Sequence, residues 1–482
     1  MSIYDKYETV IGLETHVQLA TKSKAFCGDA IEFGASPNTH ISAISLAYPG
    51  TLPKVNHQQI EFAIRLGLAL GSEINLENRF DRKNYFYADL PKGYQITQDR
   101  LPICVGGALK IRVKGKEKSI RIHHIHMEED AGKSIHDLDA KHSMIDLNRA
   151  GTPLLEVVSE PDLRSEEEVD AFMTTMRQLV RYLEISDGNM EQASLRCDCN
   201  VSVRLKGASE YGQRCEIKNL NSMRFARKAI QYERKRQIDL IESGGEVQQN
   251  TLNFDPVTGK TSPLRSKENA HDYRYFPEPD LPPVVVSEQQ VEQIKNALPP
   301  LPNELFETFT QTFKLSEYDT NILLEEKNSA LYFVALVQAT PHKKAAANLM
   351  INKILPYLNE ERKSIQEFPI DTAQLAALIE LIQSDQVSNS IAYQQLFPEL
   401  LKQPDIAPLK LAEQLNLLQS NDDDFLQDLI TQILEQHPDK VKAYQKGKKG
   451  LIGFFMGDLM KKSKGKANPK EAKKLLAARL EN

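Results

Sequence analysis

The sequence predicts an α+β protein, with a largely antiparallel sheet early in the chain and helices in the rest. Three observations lead there. Residues 1 to about 290 hold short β-type runs separated by turn signals, among them ETVIGLETHVQL, KIRVKGKEKSIRIHHIHM, HSMIDLN and CNVSVRL, and no regular strand–helix–strand alternation accompanies them. A proline-rich passage, EPDLPPVVVSEQQ followed by LPPLPNE, then forces extended backbone. Beyond it, apolar residues recur at three- and four-residue intervals almost to the C-terminus.

Within the first part, alternation in Ile120, Ile122, His124 and His126 and in Val201 and Val203 reads as half-buried strands. Two helices interrupt them. HQQIEFAIRLGLALG carries Gly67 and Gly71 near its end, and SEEEVDAFMTTMRQLVRYLEI opens with Ser165 and Glu168 at the spacing of a capping box. After the prolines, KKAAANLMINKILPYLN, DTAQLAALIELIQS, SIAYQQLFPELLK, PLKLAEQLNLLQS and DDDFLQDLITQILEQHP read as helices, and KQPDIAP near residue 405 divides them. The expected domains are therefore 1–292, 293–405 and 406–482.

A chain of 482 residues with 41% apolar composition can bury several cores. It holds no run near the ~20 apolar residues that span a bilayer, and MSIYDKYETVIGLE has neither a signal nor a transit pattern, so no membrane and a cytoplasmic location are expected. Five cysteines do not make a disulfide framework; Cys197 and Cys199 read as same-face side chains of one strand, because structural zinc asks for four ligands and wider spacing. The net charge of −6 conceals an asymmetry: from Lys440 onward twelve Lys and one Arg meet only Asp458, Glu471 and Glu481. A basic terminal module on an acidic body points to a polyanionic partner.

Two phosphate motifs are excluded. Ala131-Gly132-Lys133-Ser134 and Thr258-Gly259-Lys260-Thr261 resemble the end of a P-loop, but the required first glycine is replaced by Met127 and Phe254. What remains is a density of ionisable groups on β-type segments. Glu14 and His16 share a strand face; HIHMEEDAGKS supplies Glu128, Glu129 and Asp130 beside Lys133; IDLNRAGTPLLEVVSEPD adds Asp146, Arg149, Glu156 and Glu160. A Glu/His/Glu set drawn from separate strands suits Mg²⁺ in phosphoryl transfer, although each acid taken alone is an ordinary surface residue.

A second group suits anions: Arg196, Arg204, Lys218, Arg224, Arg265, Lys267 and Arg274, interleaved with Asn219, Asn221 and Ser222 just ahead of a helical pattern whose N-terminus adds its dipole. A third, DRKNYFYADLPKGYQITQ, combines Arg82 and Lys83 with Tyr85, Phe86, Tyr87 and Tyr94, cations and aromatic rings that suit unstacked nucleotides, such as the end of a tRNA, as well as they suit a core strand.

These segments, together with YETVIGLETHVQLATKSKAFC, DLNRAGTPLLEVVSEPDLRS, LRCDCNVSVR, EIKNLNSMR, DYRYFPEPDLPP and GDLMKKSKGKANP, resemble in content and order the B-subunit family of the aspartyl/glutamyl-tRNA amidotransferases, over nearly the whole chain. The resemblance implies a cradle-shaped catalytic domain, a helical domain and a tail that helps recognise tRNA, here through Lys461, Lys462, Lys464 and Lys466. It implies an ammonia-releasing amidase (A) subunit and a small C subunit as partners in a heterotrimer, and misacylated tRNA as substrate. It further implies Glu14, His16 and Glu129 as metal-binding residues, with Glu128 and Glu156 as neighbours.

The expected reaction is ATP-dependent, Mg²⁺-assisted activation of the carboxylate of Glu-tRNA(Gln) or Asp-tRNA(Asn), with Lys133, Arg196 and Lys218 steadying phosphates. The alternative is a non-catalytic tRNA-binding adaptor. Where many relatives carry a cysteine zinc knuckle, this chain keeps only Cys27, with Asp29, Ser42 and Ser45 nearby, so no zinc is expected and the loop is expected to rest on ordinary packing.

Overall fold

The computed structural model describes residues 2–136, 139, 141–220, 222–266, 273–419, 423–463 and 467–481, the side chains of 219, 265, 266 and 423–425 excepted. The chain forms two units, Met1–Glu304 and Leu305–Asn482.

Seven strands of the first unit carry the site: β1 (Tyr7–Gln18), β2 (Lys116–Glu129), β3 (Pro153–Ser159), β4 (Leu195–Leu205), β5 (Cys215–Leu220), β6 (Asn250–Asp255) and β7 (Lys260–Ser266). They lie in one ten-stranded sheet in the order β7-β6-β5-β4-β1-β3-β2, which Cys104–Val105 and Glu73–Ile74 extend beyond β2. Ala108–Val113 pairs with β2 as well. Every neighbouring pair is antiparallel except β5 and β6, which run parallel.

Strand periodicity gives this sheet two unlike faces. On one, Leu13 and Val17 of β1, Ile125 and Met127 of β2, Leu155 and Val157 of β3, Cys197 and Cys199 of β4 and Ile217 of β5 are buried in a single apolar cluster. Three helices pack into it: α1 (His57–Leu70) through Phe62, Ile64 and Leu66, α2 (Glu166–Tyr182) through Phe172, Met173 and Met176, and α3 (Met223–Glu242) through Ala226, Ala229 and Ile230. The C-x-C pair is thus the core face of one strand, as its spacing suggests. The other face collects the charged residues.

The helix ends follow local chemistry. Asn56 caps α1 by accepting from Gln58 N, and Gly71 closes it at φ 71°, a left-handed conformation that favours glycine. Gly67 is required by contact: a Cβ there would sit 2.5 Å from Cys104 Sγ. At α2, Ser165 Oγ accepts from Glu168 N as its spacing predicts, but the Glu168 carboxylate accepts from Arg164 N (2.7 Å) and Lys118 Nζ (2.7 Å). Only half of the expected capping box forms, because a long-range cation and a neighbouring amide take the acid.

The loop around Cys27 is held by hydrogen bonds as well as packing. Asp29 Oδ2 accepts from Ser45 Oγ (2.6 Å) and Cys27 Sγ (3.2 Å), and Ser45 Oγ accepts from Ser42 N (2.8 Å).

Among its described residues, the regular elements of the second unit are all helices. Two of the helical patterns contain a proline, and each widens to a π-turn just before it: Met350–Ile354 ahead of Pro356 and Ala392–Leu396 ahead of Pro398. A proline has no N–H to return to the preceding turn and crowds the carbonyl there, so the helix is widened without being ended. Near the C-terminus, Leu426, Ile430, Phe455, Leu459, Leu476 and Leu480 form an apolar cluster of their own. Among the described residues no helix is long and apolar enough to cross a membrane.

Candidate functional site

The charged face of the sheet floors a cavity of about 680 Å³. Its lining reads off the alternation: Glu14 and His16 from β1, His124, His126 and Glu128 from β2, Glu156 from β3, Arg196 and Asp198 from β4, Glu216 and Lys218 from β5. Register turns these into rows. His16 stands opposite Glu156 on one side and Arg196 on the other, and Glu156 stands opposite His126. Glu14 stands opposite Asp198.

Two acidic clusters result. His16, Glu128 and Glu156 offer ligand atoms within 4.8 Å of one another, and so do Glu14, Asp198 and Glu216. In the first, His16 Nε2 lies 3.2 Å from Glu156 Oε2 and 3.5 Å from Glu128 Oε1, while His126 Nε2 lies 3.4 Å and 3.6 Å from the same two carboxylates. Burial alone would lower both imidazoles, but Glu156 and Glu128 outweigh it and push His16 up to about 9 and His126 up to about 10. Burial acts against the charge of Glu156 too; the two imidazoles overcome it and hold that carboxyl well below the usual range.

In the second cluster, Asn200 Nδ2 donates to Glu14 Oε1 (2.9 Å) and Lys218 Nζ approaches Glu216 (3.2 Å) and Asp198 (3.5 Å). Burial works against the Lys218 ammonium, but these acids raise its pKa on balance. Arg196 is held by Asp130, at 3.0 Å, and its Nε is buried without a partner.

The donor sets fit hard divalent cations: carboxylate oxygens dominate, one imidazole joins the first set, and the cavity leaves space for further oxygens from a phosphate or water. Opposite charge of this kind, cations at Arg196 and Lys218 beside two carboxylate groups, is what a metal–phosphate pair requires.

The other residues that the sequence points to divide. Glu128 and Glu129 are successive residues of β2, so they face opposite ways. Glu129 leaves the cluster that the resemblance assigns to it and faces a smaller cavity of about 220 Å³, where Lys92 Nζ pairs with it and Ile96 N donates to it (2.9 Å). Lys133 is exposed on a separate two-stranded sheet, opposite Asp146, and does not line the large cavity. Ser222 caps α3 by accepting from Phe225 N (3.2 Å). Asn221, Lys464 and Lys466 lie outside the described residues, as does the side chain of Asn219.

Lys83 and Tyr85 line the large cavity beside Tyr273 and Tyr275, with Lys83 Nζ 4.8 Å from the centre of the Tyr273 ring. Tyr94 instead lies under the Arg82 guanidinium, at 4.2 Å, and lines the smaller cavity. Lys461 and Lys462 end the helix Ile452–Lys462; Lys461 is exposed, and Lys462 pairs with Gln436.

Asp198 and Glu216 are not singled out by the sequence, and His126 is read there only as part of a half-buried strand. The signal existed for the first two: each is two residues from a cation that was chosen, Arg196 or Lys218, on the same strand. A strict period of two would also have separated Glu128 from Glu129.

Comparison with known proteins follows the same segments. The model of the GatB/GatE catalytic domain matches residues 9–292, and that of the GatB domain matches residues 331–480. The chain is 48% identical over 471 residues to the B subunit of the aspartyl/glutamyl-tRNA(Asn/Gln) amidotransferase of Thermodesulfovibrio yellowstonii, covering 98% of each chain. The B subunits of the same name from Persephonella marina and Geobacter sulfurreducens are 45% and 47% identical, each over 98% of this chain and 99% of theirs.

Proposed function

Because the chain belongs to the family of aspartyl/glutamyl-tRNA amidotransferase B subunits, we propose that the large cavity is where it activates the side-chain carboxylate of Glu-tRNA(Gln) or Asp-tRNA(Asn) with ATP. The observation that carries this reading is the meeting, on one sheet face, of two carboxylate clusters with Arg196 and Lys218.

A carboxylate resists ammonia because the attack would have to expel oxide, so the carboxylate must first receive a leaving group. One carboxylate oxygen attacks the γ-phosphorus of ATP in line, the bond from that phosphorus to the β–γ bridging oxygen breaks, and ADP leaves. Ammonia then adds to the acyl carbon, the single bond from that carbon to the phosphate-bearing oxygen breaks, and inorganic phosphate departs with the proton that nitrogen loses, the carbonyl being restored in the amide.

His16, Glu128 and Glu156 would hold one Mg²⁺ and Glu14, Asp198 and Glu216 a second, which would offset the phosphate charge. Arg196 offers its guanidinium charge to a phosphate oxygen, and Lys218 supplies a charge within reach of the second cluster. Tyr85, Tyr273 and Tyr275 provide aromatic surface for a nucleobase, with Lys83 above it. A recessed floor limits loss of the acyl phosphate to water.

Ammonia comes in this reading from a glutaminase A subunit, with a small C subunit completing a cytoplasmic heterotrimer. The domains 1–292, 293–405 and 406–482 serve as catalytic cradle, helical spacer and tRNA-binding tail, the last through Lys461 and Lys462 and their basic neighbours.

The test is an assay of the reconstituted A, B and C subunits with misacylated tRNA, following ADP formation separately from glutamine hydrolysis. Glu14→Gln and Glu128→Gln are each expected to lower ADP formation by at least about 100-fold, since even an outer partner of a metal ligand is worth roughly 10–100-fold, and to leave glutamine hydrolysis running. ADP formation at the wild-type rate in both variants would overturn the site. A chain that binds tRNA with salt-sensitive affinity yet never forms ADP would be the adaptor instead.

A further inference from the structure

β2 carries three histidines, His123, His124 and His126, and the proposed activation gives none of them a task. His126 Nδ1 lies 3.1 Å from His124 Nε2, and His124 Nδ1 lies 2.7 Å from His123 Nδ1. The rings of His124 and His126 are stacked, with centroids 5.2 Å apart and planes at 22°, while His123 meets His124 edge-on at 76°. The three imidazoles form one line from an exposed ring at His123 to a buried one at His126.

Successive strand residues face opposite ways and do not ordinarily touch. Here the register allows it: Val158 of β3 pairs with His124 and Ser159 with Ile122, so His123 is the extra residue of a bulge. Bulges beside active sites commonly turn a side chain toward a new partner.

We infer that His124 is a positioning residue: through its contact with His126 Nδ1 it holds the His126 ring with Nε2 against Glu128 and Glu156, and so fixes how those two carboxylates present themselves to a bound cation. This rests on the reading of His16, Glu128 and Glu156 as a cation site.

The geometry leaves few choices. His126 Nε2 faces the two carboxylates at 3.4 and 3.6 Å, where an N–H can donate to either of them. Burial, with the neighbouring His126 and His123, lowers His124 to about 4, so near neutral pH its ring is uncharged and has one donor and one acceptor nitrogen. It can therefore accept from a protonated His126 Nδ1, or donate to a bare one. In both arrangements Nε2–H of His126 still points at the carboxylates. Without a partner at Nδ1 the ring is free to turn over, which would replace Nε2 by carbon. Conserving such outer hydrogen bonds is how metal-binding carboxylates keep their orientation.

The experiment measures Mn²⁺ affinity by the loss of the free-ion electron paramagnetic resonance signal, on the full chain in the reconstituted complex without ATP, and Mg²⁺ dependence of ADP formation alongside. His124→Met, which keeps bulk and has no ring nitrogen, is expected to weaken Mn²⁺ binding by about 10–100-fold, while His124→Gln, whose amide can pair with Nδ1, regains most of it. His123→Ala, at an exposed ring, gives an independent reading and is expected to cause a smaller loss. Urea unfolding of each variant shows whether the sheet is intact. If His124→Met binds Mn²⁺ as tightly as the wild type, or if Gln is no better than Met in folded protein, the inference falls. A wild-type complex that binds no Mn²⁺ would overturn the cation reading beneath it.

Discussion

One sheet presents two opposite solutions to burial. On its apolar face, Leu13, Ile125, Leu155, Cys197 and Ile217 meet three helices in one apolar cluster. On its cavity face, one residue along the same strands, Glu14, Glu128, Glu156, Asp198 and Glu216 crowd around two imidazoles, Arg196 and Lys218. The first arrangement contributes stability through area removed from water; the second costs desolvation that the ion pairs only partly offset. The protein can hold this much charge in one place because the opposite face supplies the cohesion.

The sharpest way to break that comparison is to damage each face in turn. Phe172 is fully buried between α2 and the sheet, and Phe172→Ala is expected to lower unfolding free energy by about 3–5 kcal/mol. Glu14→Gln removes one of three neighbouring carboxylates and keeps an oxygen for Asn200, so in metal-free protein it is expected to unfold at the same or a higher urea concentration. A Glu14→Gln variant that unfolds as readily as Phe172→Ala would show that the cavity face is a main source of stability.

A smaller effect is expected at Cys197, buried in the apolar cluster with its thiol pKa pushed well up by its hydrogen bond to Cys199 and by burial. Cys197→Ser places a stronger hydrogen-bonding group there and is expected to cost about 1–3 kcal/mol, with ADP formation per folded molecule unchanged. Loss of activity without loss of stability would mean that this pair serves the cavity.

The smallest expected effect is on pH dependence. The folded-state values of His16 and His126 lie at about 9 and about 10, above an unfolded value near 6.5. Their contribution to stability is therefore complete below about pH 6.5 and declines as pH rises toward those folded values. Urea midpoints of metal-free protein should fall from about pH 6.5 to 8, before the unfolded thiols ionise, and salt screening makes the change modest. A midpoint that rises over that interval would remove the imidazole–carboxylate pairs from the account.

Much of the site was legible in the chain. The pairs Glu14 and His16, and Arg196 with Lys218, were identifiable from strand patterns and do line the cavity. Glu129 was assigned by resemblance, and the alternation of β2 turns it to Lys92 instead. Asp198 and Glu216 drew no attention because an acid on a strand is ordinary until another stands opposite it. The half-formed capping box at Ser165 has the same origin: Lys118, far away in sequence, occupies the Glu168 carboxylate.

By itself the sequence determined what depends on short range: the antiparallel character of the first unit, the helix start at Ser165, the shared strand face of Cys197 and Cys199, and the uneven charge along the chain. Only the tertiary structure decided which strands are neighbours and in what register, and hence that Glu156 meets both His16 and His126 and that a bulge brings His123 to His124. The reason is physical. A period of two fixes the face on which a residue stands, but hydrogen bonding and Coulomb attraction act over a few ångströms, and those distances are set by strand pairing that no local pattern encodes.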